Sequence, residues 1–143
     1  MDKNNKRLEE GLKKYIDSWT AAGKEELKQL LQHTPAKSRY DQLMNVRGDK
    51  YDGNTGPHRA AWENDLATMK HMLEDLTADQ KYDVLKIQDR SQGTSALHYA
   101  AWSGFSSTIT YLLAGLSQQQ KYDLLQLRKK DGGTPLHNAA SQH

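Results

Sequence analysis

The chain has 143 residues, enough for one domain with a core of its own, and its 20 basic and 18 acidic residues leave a net charge of only +2. That balance does not suggest a nucleic-acid or membrane partner, which would normally show as a basic face, and the absence of cysteine excludes disulfides and thiolate metal sites. The opening MDKNNKRLEEG lacks a signal-peptide core and no apolar run approaches membrane-spanning length, so the expectation is a soluble cytoplasmic monomer, with the nucleus left open.

In chain order, Leu8, Leu12, Tyr15, Ile16 and Trp19 form an apolar helical stripe flanked by Lys and Glu. One face for a neighbour and one for water is what a terminal cap needs. Gly23 is expected to end this first helix, Leu30-Leu31 marks a second, and SRYDQLMNV from Ser38 a third. The polar, turn-rich stretch Arg47–Asn54 predicts an extended hairpin-like loop. Thr55-Gly56-Pro57-His58 then starts a short helix that ends near Asn64-Asp65, and a second helix is expected over 67–76. Thr77-x-x-Gln80 reads as a capping box for a third, QKYDVLKIQ, with Tyr82 and Leu85 toward a core.

From there the pattern repeats. A loop at Gln88–Thr94 leads into TSALHYAAW, a short helix ending near Gly104, and a second helix over 106–115. Ser117-x-x-Gln120 caps QKYDLLQLR, with Tyr122 and Leu125 facing inward, and Arg128–Gly133 is a third loop before GTPLHNAA. Gly53, Gly93 and Gly132 open the phrase G-x-[ST]-x-x-H-x-A-A, with His58, His98 and His137 five residues later in each. A period of about 40 residues carried by several phrases in phase signals a stacked array of helical units.

These residues resemble the ankyrin repeat, whose hallmark is G-x-T-P-L-H-x-A-A. Thr134-Pro135-Leu136-His137 matches fully, Ser95-Ala96-Leu97-His98 closely, and Thr55-Gly56-Pro57-His58 with its proline displaced by one. That proline still falls in the first helical turn, where it is tolerated. The resemblance covers about residues 20 to 143 and implies an all-α, ankyrin-like solenoid with hairpin-like loops. One domain, 1–143, divides into a degenerate cap unit 1–53, repeats 54–93 and 94–132, and a partial repeat 133–143. The usual unit has about 33 residues; the six or seven added here lie in the QKYD helix. Armadillo and HEAT arrays also carry three helices per unit, but they lack the T-P-L-H phrase.

Three histidines in register do not make a metal site. Equivalent residues step along a solenoid by on the order of 10 Å, whereas zinc needs ligands converging to about 2 Å. Each imidazole is expected instead to bond its Thr or Ser hydroxyl and nearby backbone, the role that the resemblance also implies. His33, His71 and His143 are isolated and suit the surface. Asp83, Asp89 and Asp123 are carboxylates without a catalytic constellation, and no phosphate loop, nucleophile elbow or metalloprotease signature appears. No enzyme and no cofactor is expected. Arg47-Gly48-Asp49 spells a cell-adhesion tripeptide, a match too short to carry weight. Arg128-Lys129-Lys130 reads as a solvated loop tip or as a contact for an acidic partner.

Trp62 and Trp102 lie 40 residues apart, one period, and so occupy equivalent positions. The resemblance places the two positions after Ala-Ala, here Trp62-Glu63 and Trp102-Ser103, on a concave face that varies with the partner and is completed by the loop tips. It thus implies a protein–protein interaction module whose partner-binding residues are Tyr51, Asn54, Arg59, Trp62, Glu63, Gln92, Thr94, Tyr99, Trp102, Ser103 and Lys130. The opposing expectation is that each indole lies flat over its own repeat and seals the core. A structural spacer within a larger multidomain protein is the alternative function. Nucleic-acid binding would need the lysines gathered on one face.

Overall fold

The computed structural model describes residues 3–51 and 53–137. Among them the regular elements are helical: α1 Lys3–Asp17, α2 Ala21–Gln32, α3 Ala36–Asn45, α4 Gly56–Trp62, α5 Leu66–Leu73, α6 Ala78–Leu85, α7 Ala96–Ser103, α8 Ser106–Leu113 and α9 Gln118–Leu125. Pro135–His137 begin a further helical turn. Asn138 and the rest of the last phrase, with His143, lie outside the described residues.

The helices form three rows. α1, α4 and α7 pack side by side, α2 lies against α5, and α3, α6 and α9 follow one another in the third row. In α1 the stripe Leu8, Leu12, Tyr15 and Ile16 is fully buried and Trp19 packs against the core at its end. Small residues let the first row close up: Ala60, Ala61, Ala96, Ala100 and Ala101 are all buried, with Leu97 beside them. Met69, Met72 and Leu73 from α5 and Leu112 from α8 complete the core behind them. Each fully buried side chain of this size is worth about 1.5–3 kcal/mol over leaving it in water.

The helix starts follow from their caps. Thr77 and Gln80, and again Ser117 and Gln120, make reciprocal capping boxes of 3.0–3.1 Å bonds, as their spacing predicts. The three loops are closed by main-chain bonds of 2.8 Å: Gly48 N to Asn54 O, Asp89 N to Thr94 O, and Lys129 N to Gly133 O. They have the hairpin-like form expected of them, without regular strands.

Three details differ from the sequence reading. Gly23 does not end the first helix: α1 stops at Asp17, and Gly23 sits in the first turn of α2, donating its amide to the capping Thr20 hydroxyl. The second helices are shorter than 67–76 and 106–115, ending at Leu73 and Leu113, because Glu74 and Ala114 leave the helical conformation (ψ 143° and 137°) ahead of the left-handed Asp75 and Gly115. Tyr122 does not face a core. It is 60% exposed, while Leu124 takes the buried position in α9.

The third row explains that last difference. In each unit a basic residue, a tyrosine and an aspartate come in sequence, and in two of the units the first two reach forward into the following unit. Arg39 donates to the carbonyls of His71 and Met72 at the end of α5, and Lys81 donates to those of Tyr111 and Ala114 at the end of α8. Unpaired carbonyls at a helix end favour a cation there. Tyr40 donates to Asp83 at 2.8 Å, and Tyr82 donates to Asp123 at 3.2 Å. Tyr122 has no such acceptor ahead of it among the described residues, so its ring stays in solvent. The added helix thus fastens neighbouring units together.

Candidate functional site

The histidines are tightly bound to their own loops. His58 is the third residue of α4, and its Nδ1 accepts from the Thr55 amide at 3.1 Å and lies 2.8 Å from the Thr55 hydroxyl. Because Nδ1 accepts, the ring proton is assigned to Nε2, which donates to the Thr94 carbonyl at 2.8 Å. His98 repeats the arrangement with Ser95 and the Gly133 carbonyl, at 3.0 Å and 3.1 Å. Both ring nitrogens are thereby used, and burial pushes His58 down to about 4 and His98 in the same direction. His58 and His98 hold loop to loop, as their chemistry predicted. His33 is exposed, and His71 is half-buried beside Glu74 at 3.7 Å.

Asp89 organises the middle loop. Its Oδ1 accepts from the amides of Gln92 and Thr94, and its Oδ2 from the Tyr99 hydroxyl at 3.0 Å. Burial alone would raise its pKa, but those hydrogen bonds outweigh it and hold the group below the usual carboxylate range. The Tyr99 hydroxyl is pushed up to about 12 by burial and by the same carboxylate. This pins the Tyr99 ring, and its face becomes a wall between two neighbouring recesses.

The first recess, about 300 Å³, is lined by Tyr51, Asn54, Arg59, Trp62 and Tyr99. The second, about 190 Å³, is lined by Trp62, Thr94, His98, Tyr99, Trp102 and Lys129. Trp62 meets Tyr99 edge to face, with ring centroids 5.4 Å apart. Trp62 is 54% exposed and Trp102 48%, so about half of each indole is open to solvent. Tyr51 is also exposed, with the Arg59 guanidinium 5.4 Å and the Lys50 ammonium 5.6 Å from its ring centre. Arg59 is held from two sides, by the Ile16 carbonyl at 3.0 Å and by Glu63 at 2.9 Å. A polar recess in the cap, between α1 and α2, is lined by Arg7, Glu10, Lys14 and Glu26 and has no aromatic wall.

Seven of the residues singled out from the sequence thus line these two adjoining recesses: Tyr51, Asn54, Arg59, Trp62, Thr94, Tyr99 and Trp102. Glu63 reaches them through Arg59. Gln92, Ser103 and Lys130 are exposed beside them, Lys130 donating its main-chain amide to Gln92 O and its ammonium to Arg90 O. Thr94 offers little surface, at 7% exposure, because its amide and carbonyl are already taken by Asp89 and His58. Lys129, which the sequence reading treated only as part of a basic run, belongs to the second recess. Its place just ahead of Lys130 in a loop already flagged as a tip was the available signal.

The Arg47-Gly48-Asp49 tripeptide is held at its first two residues, while the Asp49 side chain is exposed. Arg47 donates to the Leu43 and Val46 carbonyls, Gly48 is buried, and Asp49 pairs with Lys13 at 3.6 Å. Among the described residues no cluster of three His, Asp or Glu side chains is placed to hold a metal ion. No helix among them is long and apolar enough to cross a membrane.

Comparison with known proteins matches the sequence to a family model. The model for ankyrin repeats, in three copies, matches residues 58–143. No curated protein matches the chain. Among solved structures, a chain from the crystal structure of the yeast ribosomal protein Rps3 in complex with its chaperone Yar1 is similar, with a TM-score of 0.68. The similarity covers 99% of this chain and 87% of that one at 16% identity, a likeness of fold.

Proposed function

The chain belongs to the ankyrin-repeat family, and on that premise we propose that it is a non-catalytic module that binds a partner protein through the groove lined by Trp62, Tyr99 and Trp102. Ankyrin repeats are protein–protein interaction modules and are generally non-catalytic. The observation that carries the reading is the pair of half-exposed indoles at equivalent positions of neighbouring units. Leaving two large aromatic faces in water forgoes burial energy that a merely structural residue would collect. Such faces are the kind that dominate binding energies, often by about 2 kcal/mol or more each. Their backbones belong to the first-row helices α4 and α7, and a fixed backbone lowers the ordering cost of association.

The domain reading belongs to the same proposal: a cap over 1–53, repeats over 54–93 and 94–132, and the start of another over 133–143, acting as a monomer inside the cell. Yar1, the chaperone in the similar structure, is in complex with Rps3; for this chain that precedent favours a protein as the partner. Affinity capture with the wild-type chain and with Trp62→Ala/Trp102→Ala tests the reading. Loss of a specific partner by a variant that still melts cooperatively supports it. Retention of every partner by that variant removes it.

A further inference from the structure

The two recesses differ from each other in a way that points to one kind of occupant. They share the Trp62–Tyr99 wall and lie one unit apart, and neighbouring packed helices such as α4 and α7 stand about 8–10 Å apart. Each has room for a bulky side chain. A polyproline-type extended segment rises about 3.1 Å per residue with three residues per turn, so residues i and i+3 project from one side at about 9 Å. A β-strand gives about 7 Å or about 13 Å on one face, and fits the step less well.

Charge supplies the second half. The loop tips rimming the groove carry Lys50, Arg128 and Lys130, all exposed, none within ion-pair distance of a carboxylate among the described residues. Lys50 lies over Tyr51, while Arg128 and Lys130 donate only to carbonyls, of Gly132 and Arg90. Among the described residues the tip carboxylates each have a partner: Asp49 has Lys13, Asp89 has amides and Tyr99, and Asp131 has Lys129 at 3.6 Å. Thus, among the described residues, the near-neutral total charge of the chain conceals rim cations that no carboxylate pairs.

We infer, building on the proposed groove, that its occupant is an extended acidic segment of the partner, with two bulky apolar or proline side chains three residues apart seated in the two recesses and carboxylates against Lys50, Arg128 and Lys130. Aromatic-walled slots take such segments because their extended form is set before binding. The rim cations speed encounter and set orientation, and the indoles supply most of the hold.

The test is panning of displayed random peptides of about 16 residues on the wild-type chain, on Trp62→Ala/Trp102→Ala and on Lys50→Glu/Lys130→Glu, with circular dichroism confirming that each is folded. Enriched peptides are expected to share an apolar pair at i, i+3 with flanking Asp or Glu. Their synthetic versions, followed by fluorescence anisotropy, should lose about tenfold or more in affinity in either double variant. They should also weaken between about 50 and about 500 mM salt. Neutral or basic winners, or winners that bind independently of salt yet still need the tryptophans, overturn the acidic segment and leave the groove intact as a binding site. Winners indifferent to the tryptophans overturn the groove as well. Absence of any enriched peptide shows that the groove does not take an extended segment, while affinity capture from the preceding test still decides whether it binds protein.

Discussion

His58 Nε2 stands 2.8 Å from the carbonyl oxygen of Thr94, so an imidazole at the start of one unit is satisfied by backbone at the start of the next. The same ring takes the place that Glu or Gln holds in an ordinary capping box, accepting from the Thr55 amide. One side chain therefore starts a helix and sets the spacing of two loops.

The first prediction is a pH effect on stability. Protonating His58 would put a proton on Nδ1, where it faces the Thr55 amide. The folded value of about 4 lies below the ordinary 6.5, so the stabilising contribution is fully present above pH 6.5 and drains away as pH falls toward 4. The difference corresponds to about 3 kcal/mol. Asp65 and Asp89, both held below 3.8, lose their contributions only in a lower window. Thermal midpoints should fall steadily from pH 7 to pH 4 in the wild type, with a shallower slope in His58→Gln. A flat wild-type profile over that window would contradict the assigned tautomer.

The staples of the third row give a graded series. Arg39 is 4% exposed and satisfies two helix-terminal carbonyls, so Arg39→Ala should cost on the order of 3 kcal/mol in urea unfolding. Tyr82→Phe removes one bond to Asp123 and should cost about 1 kcal/mol. Tyr122→Phe, at the equivalent position of the next unit, should be neutral. Equal losses at Tyr82 and Tyr122 would show that the bond to Asp123 is not what the Tyr82 hydroxyl contributes.

Trp62→Ala should lose about 1 kcal/mol, mostly its edge-to-face contact with Tyr99. Leu97→Ala, in the same row but with no exposed surface, should lose about 2–5 kcal/mol. Chemical denaturation of the two variants side by side makes the comparison. A tryptophan loss as large as the leucine loss would place the indole in the core.

Gly104 ends α7 with φ 73°, a left-handed conformation that a side chain disfavours. Gly104→Ala should cost about 1 kcal/mol, and Gly104→Asn less, since Asn64 occupies the equivalent position of the previous unit at φ 54°. Equal midpoints for wild type and the alanine variant would mean that the helix end relaxes freely.

Much of this was legible in the sequence because it depends on neighbours in the chain. The Thr77 and Ser117 boxes, the buried stripe of α1 and the Thr55–His58 and Ser95–His98 pairings each span three or four residues or keep helical spacing. The exposure of Trp62 and Trp102 was open, since a periodic aromatic serves a core as readily as a surface. Tyr122 was misread because its two predecessors find their acceptors 41 and 43 residues ahead, and no local pattern states whether such an acceptor exists. Arg39 and Lys81 escaped notice for the same reason, although a basic residue preceding each Tyr-Asp pair recurs at the repeat period. Thr94 looked available because the bonds that occupy it are main-chain bonds, and a residue's identity does not reveal those.

The staples also bear on how a mutational map of this protein should be read. Lys81 and Tyr82 line neither aromatic recess, yet they fix the tilt of one unit against the next, and through it the distance between the two tryptophans. A scan scored by partner capture should therefore return substitutions at Lys81 and Tyr82 beside those at Trp62 and Trp102. The two classes separate on the melting curve, because the distant pair alters leverage and the near pair alters touch.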